Sequence, residues 1–365
     1  MKKQFFLVGT ADEVGEQIQE SIDRAQETTR KWAEMLTFDP DPQTGISPKD
    51  VVWRKNKSRL YRYISNKGIK YRPPVLLIYA LINKAYILDL YPGMSLVEYL
   101  VDSGFDVYML EWGEFQWEDR NLSYADLVFD YIANAARKVC QFSRCDEISI
   151  IGYCMGGTMA AMYASLSNLP RIKNMVYIAS PIDFSEAGVS SVWFRDKDFK
   201  ADKIVDTYKL IPSDFIDYGV KMLNPVNNFL GTYTRLWKMI DEDLPVESWK
   251  LLNKWVNDNI NFPGEAYRQW TKDIYSENKL INKQFQLRGM RVDLSTIEAN
   301  TLALAGKNDH IVSSAQVEAV MDVISSPDKK FIEYPVGHGG LVFGSIARHK
   351  VYPAIANWLK VRSRD

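Results

Sequence analysis

The chain has 365 residues with a formal net charge of −1, and 46 % of them are hydrophobic. That length suits one large α/β domain with an insertion, or two domains, and the near-neutral charge gives no basic footprint for nucleic acid. Three cysteines, Cys140, Cys145 and Cys154, are too few for a secreted disulfide scaffold or a CxxC zinc site.

From the N-terminus, "MKKQFFLVG" starts positive, but its apolar run is too short for a signal peptide. No stretch approaches the ~20 apolar residues of a membrane span, so a reducing, cytoplasmic compartment is expected. Residues 11–36 read as a helix, with Val14, Ile18, Ile22, Ala25, Thr29, Trp32 and Leu36 on one narrow stripe. The stripe suits packing on the chain's own core, with a docking face for a second protein as the alternative. "TFDPDPQTGISP" breaks that helix with three prolines and a glycine. Residues 51–63 read as a hairpin, and "PPVLLIYAL" (73–81) as a strand buried on both faces. A helix over 93–104, the strand "FDVYMLEW", a helix over 123–140 and the strand "EISIIG" follow, then another helix and the strand "NMVYIAS". This alternation predicts a parallel sheet wound by crossover helices.

Near Asp183 the alternation stops. Trp193, Trp237, Trp249, Trp255 and Trp270 fall in the helical stretch that follows. Strands resume at "NTLALAG" (300–306) and "KKFIEYPVG" (329–337), and "SIARHKVYPAIANWLKV" closes the chain as a helix. The expected division is an N-terminal helical segment (1–44), an α/β core (45–184 and 296–365) and a mainly helical cap (185–295) inserted in it.

Between a strand and a helix, Gly152-Tyr153-Cys154-Met155-Gly156 has the Gly-x-nucleophile-x-Gly form of a nucleophile elbow. The glycines stand where a Cβ would collide with backbone, and the start of the following helix favours a thiolate at Cys154. A buried structural cysteine is the plainer alternative. A nucleophile needs a base, and there are three histidines. His349 lies in the C-terminal amphipathic helix and reads as a surface residue. His338, in "PVGHGG" straight after the last strand, reads as the base. Asp309, in "LALAGKNDH", reads as the acid; turn formation is its plainer role, and Asp183 is the runner-up acid. The order Cys154, Asp309, His338 is that of α/β-hydrolases. The backbone N–H of Met155 is expected to form half of an oxyanion hole, with the other half from the loop around Leu81, Ile82 and Asn83, at Ile82. A thiolate exchanging one thioester for another is near balance, and passing the acyl group to an alcohol is downhill. Cysteine here therefore suits acyl transfer from coenzyme A thioesters to a hydroxyl, while cysteine hydrolases remain the alternative. With no P-loop, GxGxxG, HExxH or histidine pair at ligand spacing, neither a metal nor a cofactor is expected.

The stretches "PPVLLIYALINKAYILDLYPGMSLVEYLVDSGFDVYMLEWG", "GYCMGGT", "WVNDNINFPGEAYRQW" with "NKLI" after it, "DHI" and "GHGGLVFG" resemble the polyhydroxyalkanoate synthases, over residues 45–362. The length, "GYCMGGT" and "FPGEAYRQW" look most like class IV catalytic subunits, with class III second. The resemblance implies an α/β-hydrolase fold and makes Cys154 the acyl-carrying nucleophile. It implies that His338 is the base, that Asp309 is the acid, and that His310 is an auxiliary histidine beside the acid. It implies polymerisation of short-chain 3-hydroxyacyl-CoA, chiefly to poly(3-hydroxybutyrate), with CoA as product and a growing polyester chain in cytoplasmic granules. It also implies a small non-catalytic helical subunit as partner (PhaR-type, or PhaE-type in class III) and homodimer contact through the cap. Glu111 stands where this family usually has aspartate, and residues 1–44 match less well.

Overall fold

The computed structural model describes residues 43–166, 170–223 and 246–363, with scattered positions between 16 and 30. Most of the helix expected over 11–36 lies outside the described residues; the described positions between 16 and 30 are helical. The chain divides into two compact units, Met1–Pro42 with Val226–Lys254, and Gln43–Pro225 with Trp255–Asp365. The described residues of the first are those helical positions and the first part of the helix Val246–Asn257.

The second unit is built on an eight-stranded sheet. Its strands are β1 (Lys49–Lys55), β2 (Ser58–Tyr63), β3 (Tyr71–Ile78), β4 (Phe105–Glu111), β5 (Glu147–Tyr153), β6 (Arg171–Ile178), β7 (Asn300–Gly306) and β8 (Lys329–Tyr334). Their order is β1-β2-β4-β3-β5-β6-β7-β8. The β1–β2 hairpin turns at Asn56, which takes a positive φ of 51°, and β2 joins β4 antiparallel. Every pairing from β4 to β8 is parallel. The continuous apolar runs therefore have a cause, because helices cover both faces and leave no polar side to the central strands. All seven residues of β5 are buried, as are Pro73 to Ile78 of β3.

Short helices carry the crossovers. Before α1 (Leu96–Ser103), the Ser95 hydroxyl accepts from Glu98 N, and Gly104 ends the helix at φ 101°. Between β4 and β5 the segments Tyr124–Asp126, Leu127–Ile132 and α2 (Ala133–Ser143) follow one another, opened by a capping box between Ser123 and Asp126. α3 (Met155–Leu166) is buried from Met155 through Tyr163, as a helix must be when it runs through the middle of the core. α4 (Tyr352–Val361) closes the chain.

Between β6 and β7 lie the helices Gly188–Arg195, Ala201–Tyr208, Ser213–Met222, Val246–Asn257 and Gly264–Arg268, followed by a wide helical turn, Gln269–Ser276. Two antiparallel ladders also occur there, Leu210–Ile211 with Phe262–Pro263 and Gln286–Leu287 with Met290–Arg291. Each is two residues long, too short for an alternating pattern to be visible in sequence. Phe184, Phe194, Trp270 and Tyr275 pack edge to face, with ring centroids 4.7 to 5.4 Å apart. Trp237 lies outside the described residues.

Candidate active site

The site grows from the C-terminal edge of the parallel strands, where open α/β sheets gather their ligands. β5 ends at Tyr153 and α3 begins at Met155. Cys154 alone makes the turn and takes φ 53°, a left-handed conformation costly for a residue with a Cβ. Backbone bonds hold it there: Cys154 N donates to Ile178 O at 2.9 Å, and Gly157 N to Cys154 O at 3.0 Å.

Glycine is required by close approach at two places. A Cβ on Gly156 would lie 2.2 Å from the carbonyl oxygen of Ile78, the last residue of β3, and one on Gly152 would lie 2.2 Å from Gly157 Cα. Both obstacles are backbone and cannot swing aside. Gly156→Ala is therefore expected to cost about 3 kcal/mol of stability by overpacking, read as a lowered urea midpoint. An unchanged midpoint would show that the elbow can open.

Asp309 lies on the turn after β7, its N–H donating to Gly306 O at 3.1 Å. Its two oxygens divide the work. Oδ1 accepts from the backbone N–H groups of Ile311 and Val312, at 2.9 and 3.0 Å. Oδ2 faces His338 Nδ1 at 2.7 Å. One oxygen of this carboxylate closes the turn and the other contacts the imidazole. His338 follows β8 in the glycine-rich loop and is 10 % exposed at its side chain, against 0 % for Asp309. The structure thus brings Asp309 and His338 into contact, on loops at the same edge of the sheet as the Cys154 turn.

Burial works to lower the pKa of His338, but the carboxylate of Asp309, the sulfur of Cys154 and the hydrogen bonds to both outweigh it and hold the imidazole well above its usual range. Burial likewise works to raise Asp309, and the imidazole and the two backbone N–H groups bring it below the ordinary carboxylate value. Asp183 is placed differently. Its Oδ1 accepts from Ser185 N at 2.9 Å, Ser185 Oγ at 2.5 Å and Asn278 Nδ2 at 2.7 Å, so it closes a turn. His310 is exposed beside buried Asp309, and His349 is exposed on the C-terminal helical segment.

Met155 opens α3, so its N–H belongs to the first turn, which has no intrahelical acceptor. The loop after β3 holds Ile82. Trp112 Nε1 donates to Tyr79 O, Trp255 Nε1 to Lys84 O, and Ile260 N to Ile82 O, each at 2.9 Å. Two of these three ties come from the segment between β6 and β7. Glu111 ends β4 and accepts from the Tyr61 hydroxyl at 2.9 Å.

Sequence reasoning missed the buried tyrosine rings that pack beside the elbow and His338. Tyr79 stacks on Tyr153 at 5.4 Å, and Tyr153 tilts over the His338 ring at 5.1 Å while its hydroxyl donates to His338 O at 3.3 Å. Burial first, and then in each case the charge of Cys154 among other groups, raises the pKa values of Tyr79, Tyr124, Tyr153 and Tyr275. All four phenols are therefore neutral at physiological pH. The only local signal was Tyr153 next to the cysteine; the other three come from distant segments.

The family described as alpha/beta hydrolase fold matches residues 73–345, and the one described as Poly-beta-hydroxybutyrate polymerase (PhaC) N-terminus matches residues 14–100. The Paleococcus ferrophilus monoacylglycerol lipase is similar in structure at a TM-score of 0.53 and 17 % identity, covering 83 % of this chain and 99 % of that one. A putative lipase from Sulfolobus solfataricus is similar at 0.57 and 14 %, covering 89 % and 98 %. At such identities the likeness concerns the fold alone. In sequence, the chain is 35 % identical to the poly(3-hydroxyalkanoate) polymerase subunit PhaC of Haloferax mediterranei, over 95 % of this chain and 70 % of that protein. It is 31 % identical to the subunit of the same name from Thiocystis violacea, over 94 % and 97 %. With an eight-stranded hydrolase sheet, a cysteine on its elbow and relatives at 31 and 35 % identity over 94 and 95 % of this chain, the chain belongs to the PhaC family of poly(3-hydroxyalkanoate) polymerase subunits.

Proposed function

We propose that this chain polymerises short-chain 3-hydroxyacyl-CoA, with the acyl group carried as a thioester on Cys154. The observation that carries this is the 2.7 Å contact between Asp309 Oδ2 and His338 Nδ1, in a chain of the polymerase family with Cys154 on the elbow. His338 Nε2 takes the thiol proton, and the sulfur attacks the thioester carbonyl. The bond from carbonyl carbon to CoA sulfur breaks, and the CoA thiolate leaves with the proton from His338. The 3-hydroxyl of the next substrate then gives its proton to His338 and attacks the acyl carbon. An ester forms, and the Cys154 sulfur is released and reprotonated. Met155 N–H and Ile82 N–H are the proposed oxyanion donors. CoA thioester is substrate and CoA is product, so no separate cofactor enters.

Among the described residues no helix is long and apolar enough to cross a membrane. The proposed setting is the surface of cytoplasmic polymer granules. A small helical non-catalytic subunit is the proposed partner, with a second copy of this chain contacting the cap (185–295). Class IV is the proposed subtype. His310 is an auxiliary candidate, from its place beside Asp309. The competing reading is a thioesterase of the same fold. Incubation with 3-hydroxybutyryl-CoA, with and without the small subunit, separates them. Insoluble polyester is expected; free 3-hydroxybutyrate without polymer in both conditions would establish the hydrolase instead.

A further inference from the structure

On the hairpin side of the sheet lies a cleft of about 540 Å³, a size suited to a small molecule, whose walls include Arg54, Lys57, Arg59, Lys84 and Glu111. Both lysines are already neutralised. Lys57 meets Glu118 and Asp119 at 2.5 and 2.6 Å, and Lys84 meets Glu114 and Asp258 at 2.9 and 3.0 Å. The arginines are not. Arg54 and Arg59 stand directly opposite each other in the β1–β2 pairing, and like charges so placed repel. Among the described residues the Arg54 guanidinium has no hydrogen-bond or ion-pair partner. Arg59 donates to the Tyr61 hydroxyl at 3.4 Å. Glu111, opposite Arg59 on β4, accepts from that same hydroxyl at 2.9 Å and is the carboxylate whose charge Arg59 feels. Two guanidinium groups thus share one carboxylate.

The strand register puts this cleft on the catalytic edge. Arg59 pairs with Glu111 at the end of β4, Leu110 pairs with Ile78 at the end of β3, and Ile78 pairs with Gly152 just before the elbow. The cleft wall also includes Asn83, on the loop after β3. Asn83 Oδ1 accepts from the Tyr79 hydroxyl at 2.9 Å, and the Tyr79 ring stacks on Tyr153 at 5.4 Å, next to the nucleophile in the chain. In the sheet, β4 and β3 separate β2 from β5, which sets those two strands roughly 14 Å apart at the usual spacing.

We propose that Arg54 and Arg59 bind the phosphate groups of the CoA thioester, so that the cleft holds the nucleotide end of the substrate while its sulfur lies at Cys154. This placement rests on the acyl-transfer reading above for the identity of the ligand. A guanidinium presents a planar fork of donors that matches phosphate oxygens. An anion between the two arginines turns their mutual repulsion into shared attraction. The pantetheine arm, from the phosphates to the sulfur, has about the backbone length of four extended residues, roughly 14 Å. That length matches the interval between β2 and β5.

Calorimetric titration of the full chain with CoA, and separately with inorganic pyrophosphate, reads the site directly. Arg54→Gln and Arg59→Gln are each expected to weaken CoA binding about tenfold, the size of one charge-assisted hydrogen bond. Lys67→Gln is the control: that cation pairs with Asp102 at 2.8 Å, away from the cleft, and CoA should bind as before. In turnover, KM for 3-hydroxybutyryl-CoA is compared with KM for the phosphate-free thioester 3-hydroxybutyryl-N-acetylcysteamine. The ratio of the first to the second is expected to rise about tenfold in both arginine variants. CoA affinity unchanged in both variants would overturn the assignment. Weakening confined to pyrophosphate would overturn it too, and would mark a site for free phosphate compounds. If CoA binding depends on both arginines but no acyl group reaches Cys154 in the unsubstituted chain, the acyl-transfer reading fails while the phosphate site stands.

Discussion

Replacing Cys154 by alanine is expected to bring CoA release from 3-hydroxybutyryl-CoA down to background, a loss of at least about a thousandfold. Cys140→Ala and Cys145→Ala should retain most of the activity. The contrast follows from the surroundings of the sulfurs. Cys154 stands on the elbow, at the start of α3. Cys140 lies in α2 with its thiol pointing at Glu147 O, 3.7 Å away. Burial first, then the neighbouring Cys145 and Asp146, push its pKa up to about 12, which makes it a poor nucleophile at neutral pH. Intact-protein mass spectrometry should find the acyl chain on the unsubstituted protein and none on Cys154→Ala. Equal loss in Cys145→Ala, or an acyl chain trapped on another side chain, would defeat the assignment.

Asp309→Asn should lower the turnover about 10³- to 10⁴-fold with the fold intact. The carboxamide oxygen can still accept from Ile311 and Val312 N–H, so the turn after β7 stands. The NH₂ group would then face His338 Nδ1 where Oδ2 stood. Nδ1 must become an acceptor, its proton moves to Nε2, and Nε2 can no longer take the thiol proton. The stabilising charge beside the imidazolium is lost as well. Asp183→Asn, on a turn bonded to Ser185 and Asn278, should stay within about threefold by the same standard. Turnover by thiol release and the far-ultraviolet spectrum are the measurements. An Asp309→Asn protein within a few-fold of the unsubstituted turnover would remove Asp309 from the mechanism.

The parts of the site written locally were readable in the sequence. Cys154 sits in a five-residue turn pattern, Asp309 and His338 each follow a strand, and their order is that of the fold. The strands β3 to β6 were readable because burial on both faces leaves continuous apolar runs. Tyr79 and Tyr153 come from separate segments, and nothing short of the assembled sheet reveals that they stack on each other and reach His338. The choice between Asp309 and Asp183 was open for a similar reason, since each follows a strand and only the folded chain decides which one meets His338. The ties from Trp255 and Ile260 to the loop after β3 span more than 170 residues and leave no periodic trace.

The bend at Cys154 asks for bare backbone on either side and is indifferent to the atom it raises. Gly152, Gly156 and the carbonyl of Ile78 set its shape, and none of them touches the chemistry of the side chain. Swapping sulfur for oxygen would leave every main-chain bond in place. The elbow therefore fixes where the nucleophilic atom stands, and the residues gathered around it are left to decide what that atom does.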